Sequence, residues 1–398
     1  MRRSDTIVGQ VIRLIGLIGL MGLMGACSFE QEPAPEVQSV PIGFSTYTAQ
    51  TVTRATEIVN YIPQGLSIGV FSYYHNGTES TPGAYNEATS IPDFMFNQQC
   101  TSTEDGRYFA YSPLKYWPNY EHDRLSFIAY YPYTNSELEA TTGVKLISTN
   151  TTPGLPKFEF VNKDVDQQPD FIISELVRDV SKESASVGGE SGAIRVRFEL
   201  KHALAKVEFR ISIHPDIRQH FAQLRLNKLS ITNIKDKGDL KITEAPESSG
   251  NILTWTALSD AGTPGELSKR DYDIVDNEHN LNDLKKVYLL MPQELDDDAE
   301  LTLDYELTLK GYNSVYTYDA NGKPVLQDIY TYKNDDAHVK LNEMKYTSHS
   351  QYMTEWEANH HYILNVQINA NSIEYTGQVV DWGDQVQWDG INVDEIVM

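Results

Sequence analysis

Apolar and polar residues alternate with a period of two along most of the chain. Val40–Phe44, Arg195–Leu200, Lys206–Ile213 and Leu301–Leu309 each place an apolar side chain at every second position, the pattern of a strand with one buried face. Leu66–Phe71 and Leu125–Tyr131 are compact apolar strands. Helical periodicity is scarce, and only Asp216–Gln223 predicts a short helix. Clusters of Gly, Asn, Asp and Pro separate the strands, and 24 Tyr suit sheets that bury a ring and leave its hydroxyl wet. The pattern predicts an all-β chain built from antiparallel β-sandwiches.

The N-terminus departs from that pattern. Arg2, Arg3 and Arg13 bracket the start of an apolar run, Val11–Met24, which is shorter than the roughly 20 residues a membrane-spanning helix needs. It ends in Met24-Gly25-Ala26-Cys27, small residues directly before a cysteine. Residues 1–26 therefore read as a signal peptide, and the cleavage region resembles a bacterial lipobox, with Met24 where Leu is usual. That resemblance makes Cys27 the acylated first residue of an exported protein held at the outer membrane. Lipoproteins of this kind carry two or three chains, and each buried CH2 contributes about 0.8 kcal/mol. The acidic, Pro-rich segment Ser28–Glu36 disfavours packing and predicts a flexible tether.

Charge and cysteine content narrow the function. The net charge is -24, and removal of residues 1–26, with three Arg and one Asp, takes it to -26. Such a chain offers no concentrated basic face, so nucleic acid is excluded as a partner. With Cys27 acylated, Cys100 has no disulfide partner, and an ordinary core must stabilise the fold. About 370 residues exceed one typical core and predict two domains. The Gly/Ser-rich stretch Ser186–Gly192 places the boundary between 55–192 and 193–398.

Candidate chemistry is sparse, and no cofactor is predicted. His360 and His361 are adjacent on a predicted strand and point to opposite faces, and His202 and His214 lie in other segments, so no metal site follows. Asp271–Glu278 is rich in oxygen ligands but lacks the glycine and glutamate positions of a calcium loop and reads as a solvated loop. Asp296-Asp297-Asp298 reads as a charged turn. No phosphate loop or Cys-His constellation is present. Tyr111, Tyr116 and Trp117 are either a sugar-stacking platform or packed aromatic side chains.

Tyr111–Pro118 followed by Leu125–Pro132 resembles the fimbrillin (Mfa-like) pilins of Bacteroidetes. Ile68–Phe71, Phe94–Gln98, His202–Val207, Leu289–Gln293 and Val379–Trp382 agree with that resemblance in order and spread. It implies two transthyretin-like antiparallel β-sandwich domains in tandem, assembly with other pilin subunits into type V pili for adhesion, and no catalysis. Arg54 matches the position at which these pilins resemble substrates of an Arg-specific protease, which would leave Ala55 as the new N-terminus.

Strand addition gives this a physical basis. A sandwich that loses its first strand exposes an apolar groove and unpaired backbone groups, which an extended segment of another subunit can fill. Val40, Ile42 and Phe44 share one face of a candidate first strand, and residues 27–54 combine tether and strand in one removable piece. At residues 385–398, Val386 and Trp388 alternate, as do Ile391, Val393 and, further on, Val397, which makes this tail the candidate donor. Arg54 in an uncut surface loop, and a tail that completes its own domain, are the alternatives. The competing function is a monomeric surface lipoprotein that binds a host ligand or glycan.

Overall fold

The computed structural model describes residues 39–48, 62–103, 108–162, 170–187, 194–218, 222–245, 251–258, 272–274, 285–311, 317–347, 351–370 and 372–381. All of these fall in one compact unit, Ser39–Met398. The strands of the first half are β1 (Ile42–Thr48), β2 (Ser67–His75), β3 (Met95–Ser102), β4 (Phe109–Ala110), β5 (Arg124–Tyr131), β6 (Val144–Leu146), β7 (Lys157–Val161), β8 (Ile172–Ser174), β9 (Val177–Val180) and β10 (Ser186–Val187). Then come β11 (Ile194–His202), β12 (Ala205–Ile213), β13 (Ala222–Thr232), β14 (Lys237–Glu244), β15 (Asn251–Leu258), β16 (Tyr272–Ile274), β17 (Lys285–Leu290) and β18 (Gln293–Glu294). The chain continues with β19 (Glu300–Gly311), β20 (Thr317–Tyr318), β21 (Pro324–Val325), β22 (Gln327–Lys340), β23 (Glu355–Trp356), β24 (His360–Ile368) and β25 (Ile373–Asp381). The expected helix over Asp216–Gln223 is one turn, Pro215–Arg218, because Ala222 and Gln223 already belong to β13.

The largest sheet runs β1-β11-β8-β5-β2-β3-β4. Both of its faces are covered, which is why β2 and β5 are buried almost throughout. Ile68, Val70, Leu125, Phe127 and Ala129 pack on one face with Ile42, Phe44, Val196 and Phe198. Phe71, Tyr73, Ile128 and Tyr130 turn to the other face and meet Phe158, Phe160, Leu240 and Ile242 of a second sheet, β15-β14-β7-β6. Each fully buried apolar side chain of this kind contributes about 1.5–3 kcal/mol. The third core lies between sheets β17-β12-β24-β25 and β16-β13-β19-β22.

The strings that carried the resemblance hold these layers together. A Cβ at Gly69 would collide with the Tyr130 ring, whose hydroxyl donates to Asn97 Oδ1 at 2.7 Å. Asn97 adopts a left-handed φ of 47°, a conformation asparagine tolerates well, and its Nδ2 donates to Thr134 O. Gln293 accepts from Lys235 N–H and donates to Lys235 O and Met291 O, tying β18 to the start of β14.

Two findings differ from the expected domain plan. The boundary near residue 193 precedes β11, yet β11 pairs with β1, β8 and β10, all from the first half. The second sheet joins β7 to β14 from opposite sides of that boundary, Phe160 opposite Gly238 and Phe158 opposite Leu240. Nor is pairing wholly antiparallel, since β1 runs parallel to β11 and β12 parallel to β24.

Candidate functional site

The first strand is the feature with the clearest consequences. β1 lies alongside β11 in parallel register, with Ile42 opposite Ile194, Phe44 opposite Val196 and Thr46 opposite Phe198. Its other edge meets the segment 108–117: Pro41 bridges Tyr116, Ser45 bridges Tyr108, Ile42 N–H donates to Lys115 O at 2.9 Å, and Trp117 N–H donates to Val40 O at 3.0 Å. β1 is thus bonded on both sides, and withdrawing it would orphan backbone groups on two walls.

The inward face explains why the strand holds. Ile42 and Phe44 are buried, and Val40 packs partly buried at the rim of the same core. Phe44 sits in an aromatic box, its ring 5.3 Å from Tyr111, 5.9 Å from Phe127 and 5.6 Å from Phe198. Thr46 follows on this face, and its Oγ1 is buried without a hydrogen-bond partner.

The outward face is polar. Tyr47 donates to Glu199 Oε2 at 3.0 Å, and the Arg197 guanidinium lies 3.9 Å from the Tyr47 ring centroid. Arg195 lies over Tyr108 in the same way, at 3.7 Å. Burial raises the Tyr47 hydroxyl above its ordinary value, and the bond to Glu199 adds to this. Burial pushes the Tyr111 hydroxyl up to about 12, and it donates to Ile42 O at 2.8 Å. Both phenols stay protonated at neutral pH and serve as donors.

The remaining sequence candidates divide sharply. Cys27, Arg54, Ala55 and the tail residues Val386, Trp388, Ile391, Val393 and Val397 lie outside the described residues. The sugar-platform alternative fails on geometry: Trp117 is 3% exposed, packed edge-on against Phe127, and Tyr111 braces β1. Only Tyr116 presents a ring to solvent. His202 is a buried sheet residue with Nδ1 3.0 Å from Asp170 Oδ1, and His361 is buried with Nε2 2.9 Å from Glu208 Oε2. Among the described residues no group of three or more His, Cys, Asp or Glu could hold a metal ion. Tyr272–Ile274 of the acidic stretch forms β16 against β13, and residues 275–278 lie outside the described residues. In the Asp296–Asp298 turn, Asp296 pairs with Lys235.

Sequence reasoning missed one feature. A cleft of about 500 Å³ opens where the ends of β8, β11, β15, β18 and β23 converge, lined by Glu175, Lys201, Trp255, Glu355 and Asn359 among others. These residues are far apart in sequence, and no local motif announces them.

An all-β protein of packed sheets whose first strand is bonded along both edges is the class this geometry defines. The comparisons with known proteins give the family. The fimbrillin-like family model matches residues 53–382. A fimbrial protein from Bacteroides vulgatus is similar in structure, with a TM-score of 0.54, 16% identity, and coverage of 85% of this chain and 99% of its own. A candidate cell adhesion protein from Bacteroides uniformis is similar at a TM-score of 0.48 and 16% identity, covering 86% of this chain and 99% of its own. No curated protein sequence matches. The chain belongs to the fimbrillin-like family.

Proposed function

We propose that the chain is a structural subunit of a surface fimbria of the type V class, exported as a lipoprotein on Cys27, cut after Arg54, and joined to other subunits by strand exchange in the service of adhesion. One observation carries this reading. β1 is covalently continuous with the rest of the fold only through the segment that contains Arg54, while its noncovalent hold is a groove lined by Phe127, Phe198 and Tyr111. A single cut converts an intramolecular strand into a separable one. The groove it leaves is apolar inside and has hydrogen-bonding edges on both sides, the two requirements for accepting an extended segment. In this account the lipid at the outer membrane is a temporary address, and the chain performs no catalysis. The division into two transthyretin-like sandwich domains is part of the proposal, with the first domain taking in β11 and the β14–β15 hairpin, which pair with strands that precede residue 192.

The test is polymerisation in vitro. Native precursor is treated with an Arg-specific protease and run on a gel without boiling. A multimer ladder that appears only after the cut supports the reading. A body that stays intact, or is digested throughout, overturns it.

The cleft favours a second reading, a monomeric glycan binder, because it combines an indole with carboxylate, amide and ammonium groups in a volume suited to a small ligand. Retardation of an uncut lipidated monomer in a polysaccharide-containing gel, without multimers, would support it instead.

A further inference from the structure

The groove of β1 reads the tail of the chain in only one register. Resting on the strand-exchange reading above, we propose that residues 386–391 of a second copy take the places of Ile42–Tyr47. Val386 then enters the Ile42 position, Trp388 the aromatic box of Phe44, and Gly390 the Thr46 position.

The inward face of β1 sets three buried positions in a row, Ile42 at 2% exposure, Phe44 at 1% and Thr46 at 7%. A replacement strand must supply side chains at every second residue that survive such burial, because an unpaired charge or amide there loses its water without compensation. Val386, Trp388 and Gly390 meet this condition. In every other register of residues 382–398, in the direction of β1, at least one of the three positions receives Asp, Glu, Asn or Gln. Trp388 is also the sole aromatic residue in 385–398, and the central position is walled by Tyr111, Phe127 and Phe198. Gly390 carries no hydroxyl into the place where Thr46 Oγ1 lacks a partner.

The outward face agrees independently. β11 places Arg195 opposite Gly43, Arg197 opposite Ser45 and Glu199 opposite Tyr47. The proposed register sets Gln387 opposite Arg195 and Asp389 opposite Arg197, so the one acidic residue of the donor segment faces a guanidinium. The opposite chain direction would put Gly390 at the Ile42 position and leave a void there. The backbone bonds transfer unchanged, since Tyr111 donates to the carbonyl of Ile42 and Lys115 accepts from its N–H, and neither contact depends on the side chain replaced. Ile391 then lies on the outward face beside Glu199, and Val393 and Val397 lie beyond the three buried positions.

The test pairs a crosslink with a substitution series in the full precursor, cut after Arg54 before assembly. Arg197→Cys with Asp389→Cys is expected to give disulfide-linked multimers under oxidation, and Arg195→Cys with Asp389→Cys is not. Cys100 is buried and gives no background. Trp388→Phe should polymerise as the unsubstituted protein does, Trp388→Asp should lose at least tenfold in multimer yield, and Val393→Ala should change little. Multimers that crosslink through the Arg195 pair, or a Trp388→Asp variant that polymerises normally while deletion of 385–398 abolishes assembly, overturn the register and leave strand exchange standing. Failure of the cut, unsubstituted protein to form multimers overturns strand exchange itself and the register with it.

Discussion

Phe44 of β1 stacks on Phe198 of β11, ring centroids 5.6 Å apart and planes 22° from parallel, across two strands that run in the same direction. A piece of chain from the extreme N-terminal side of the fold thus fills the centre of a core that is otherwise complete. Truncating it leaves a hole that its neighbours close only in part. Phe44→Ala is expected to lower the stability of the uncut precursor by about 3–5 kcal/mol, read from urea unfolding. A loss under about 1 kcal/mol would show that β1 is not held by this contact.

Thr46 is the weak point of the same strand. Its hydroxyl is buried without a partner, and such a group costs about 1–3 kcal/mol. Thr46→Val keeps the shape and removes the orphan, so the precursor should become more stable by about 1 kcal/mol and should release β1 more slowly after the cut. A destabilised Thr46→Val precursor would mean that the hydroxyl is satisfied in solution.

Cys100 reports on the integrity of this core. It is buried on β3 in the same cluster as Ile42 and Phe44, and burial pushes its thiol well above the ordinary range. In folded precursor, a thiol reagent should label Cys100 only as fast as the protein unfolds. Labelling within about tenfold of a free cysteine would contradict the packing, since reactivity follows the thiolate.

His75 gives the fold a pH dependence with a definite sign. The ring is buried, with Nε2 3.0 Å from Ser126 Oγ and 3.9 Å from Asp179 Oδ1. Burial lowers its pKa below 6.5, outweighing the pull of Asp179 and Asp93, while Arg178 also lowers it. Above that value both folded and unfolded chains hold the neutral ring, and this group contributes nothing. As pH falls below it, the unfolded chain takes up the proton first, so stability declines until the folded value is passed. His75→Gln should flatten the drop in urea midpoint between pH 7 and 5. An unchanged drop would assign the dependence elsewhere.

Strand periodicity made much of the fold readable in the sequence. Arg195–Leu200, Lys206–Ile213 and Leu301–Leu309 lie within β11, β12 and β19, because one buried face imposes a period of two whatever the partner strand. Ile42 and Phe44 were legible as a common face for the same reason. Partnership was not legible. Nothing local says that β1 runs parallel to β11, that the segment 108–117 forms its other wall, or that β7 pairs with β14 across the expected boundary. Those pairings depend on long-range register, and a Gly/Ser-rich stretch marks only a break in the chain. Trp117 shows the complementary limit: aromatic residues in a loop look alike on paper whether they face solvent or, as here, close a core.

The N-terminal residue of the mature protein recovered from assembled surface fibres tests the central claim most directly. Release of β1 by a cut after Arg54 predicts Ala55 as that residue. Fibres whose subunits begin with an acylated Cys27, β1 still attached, would contradict the account.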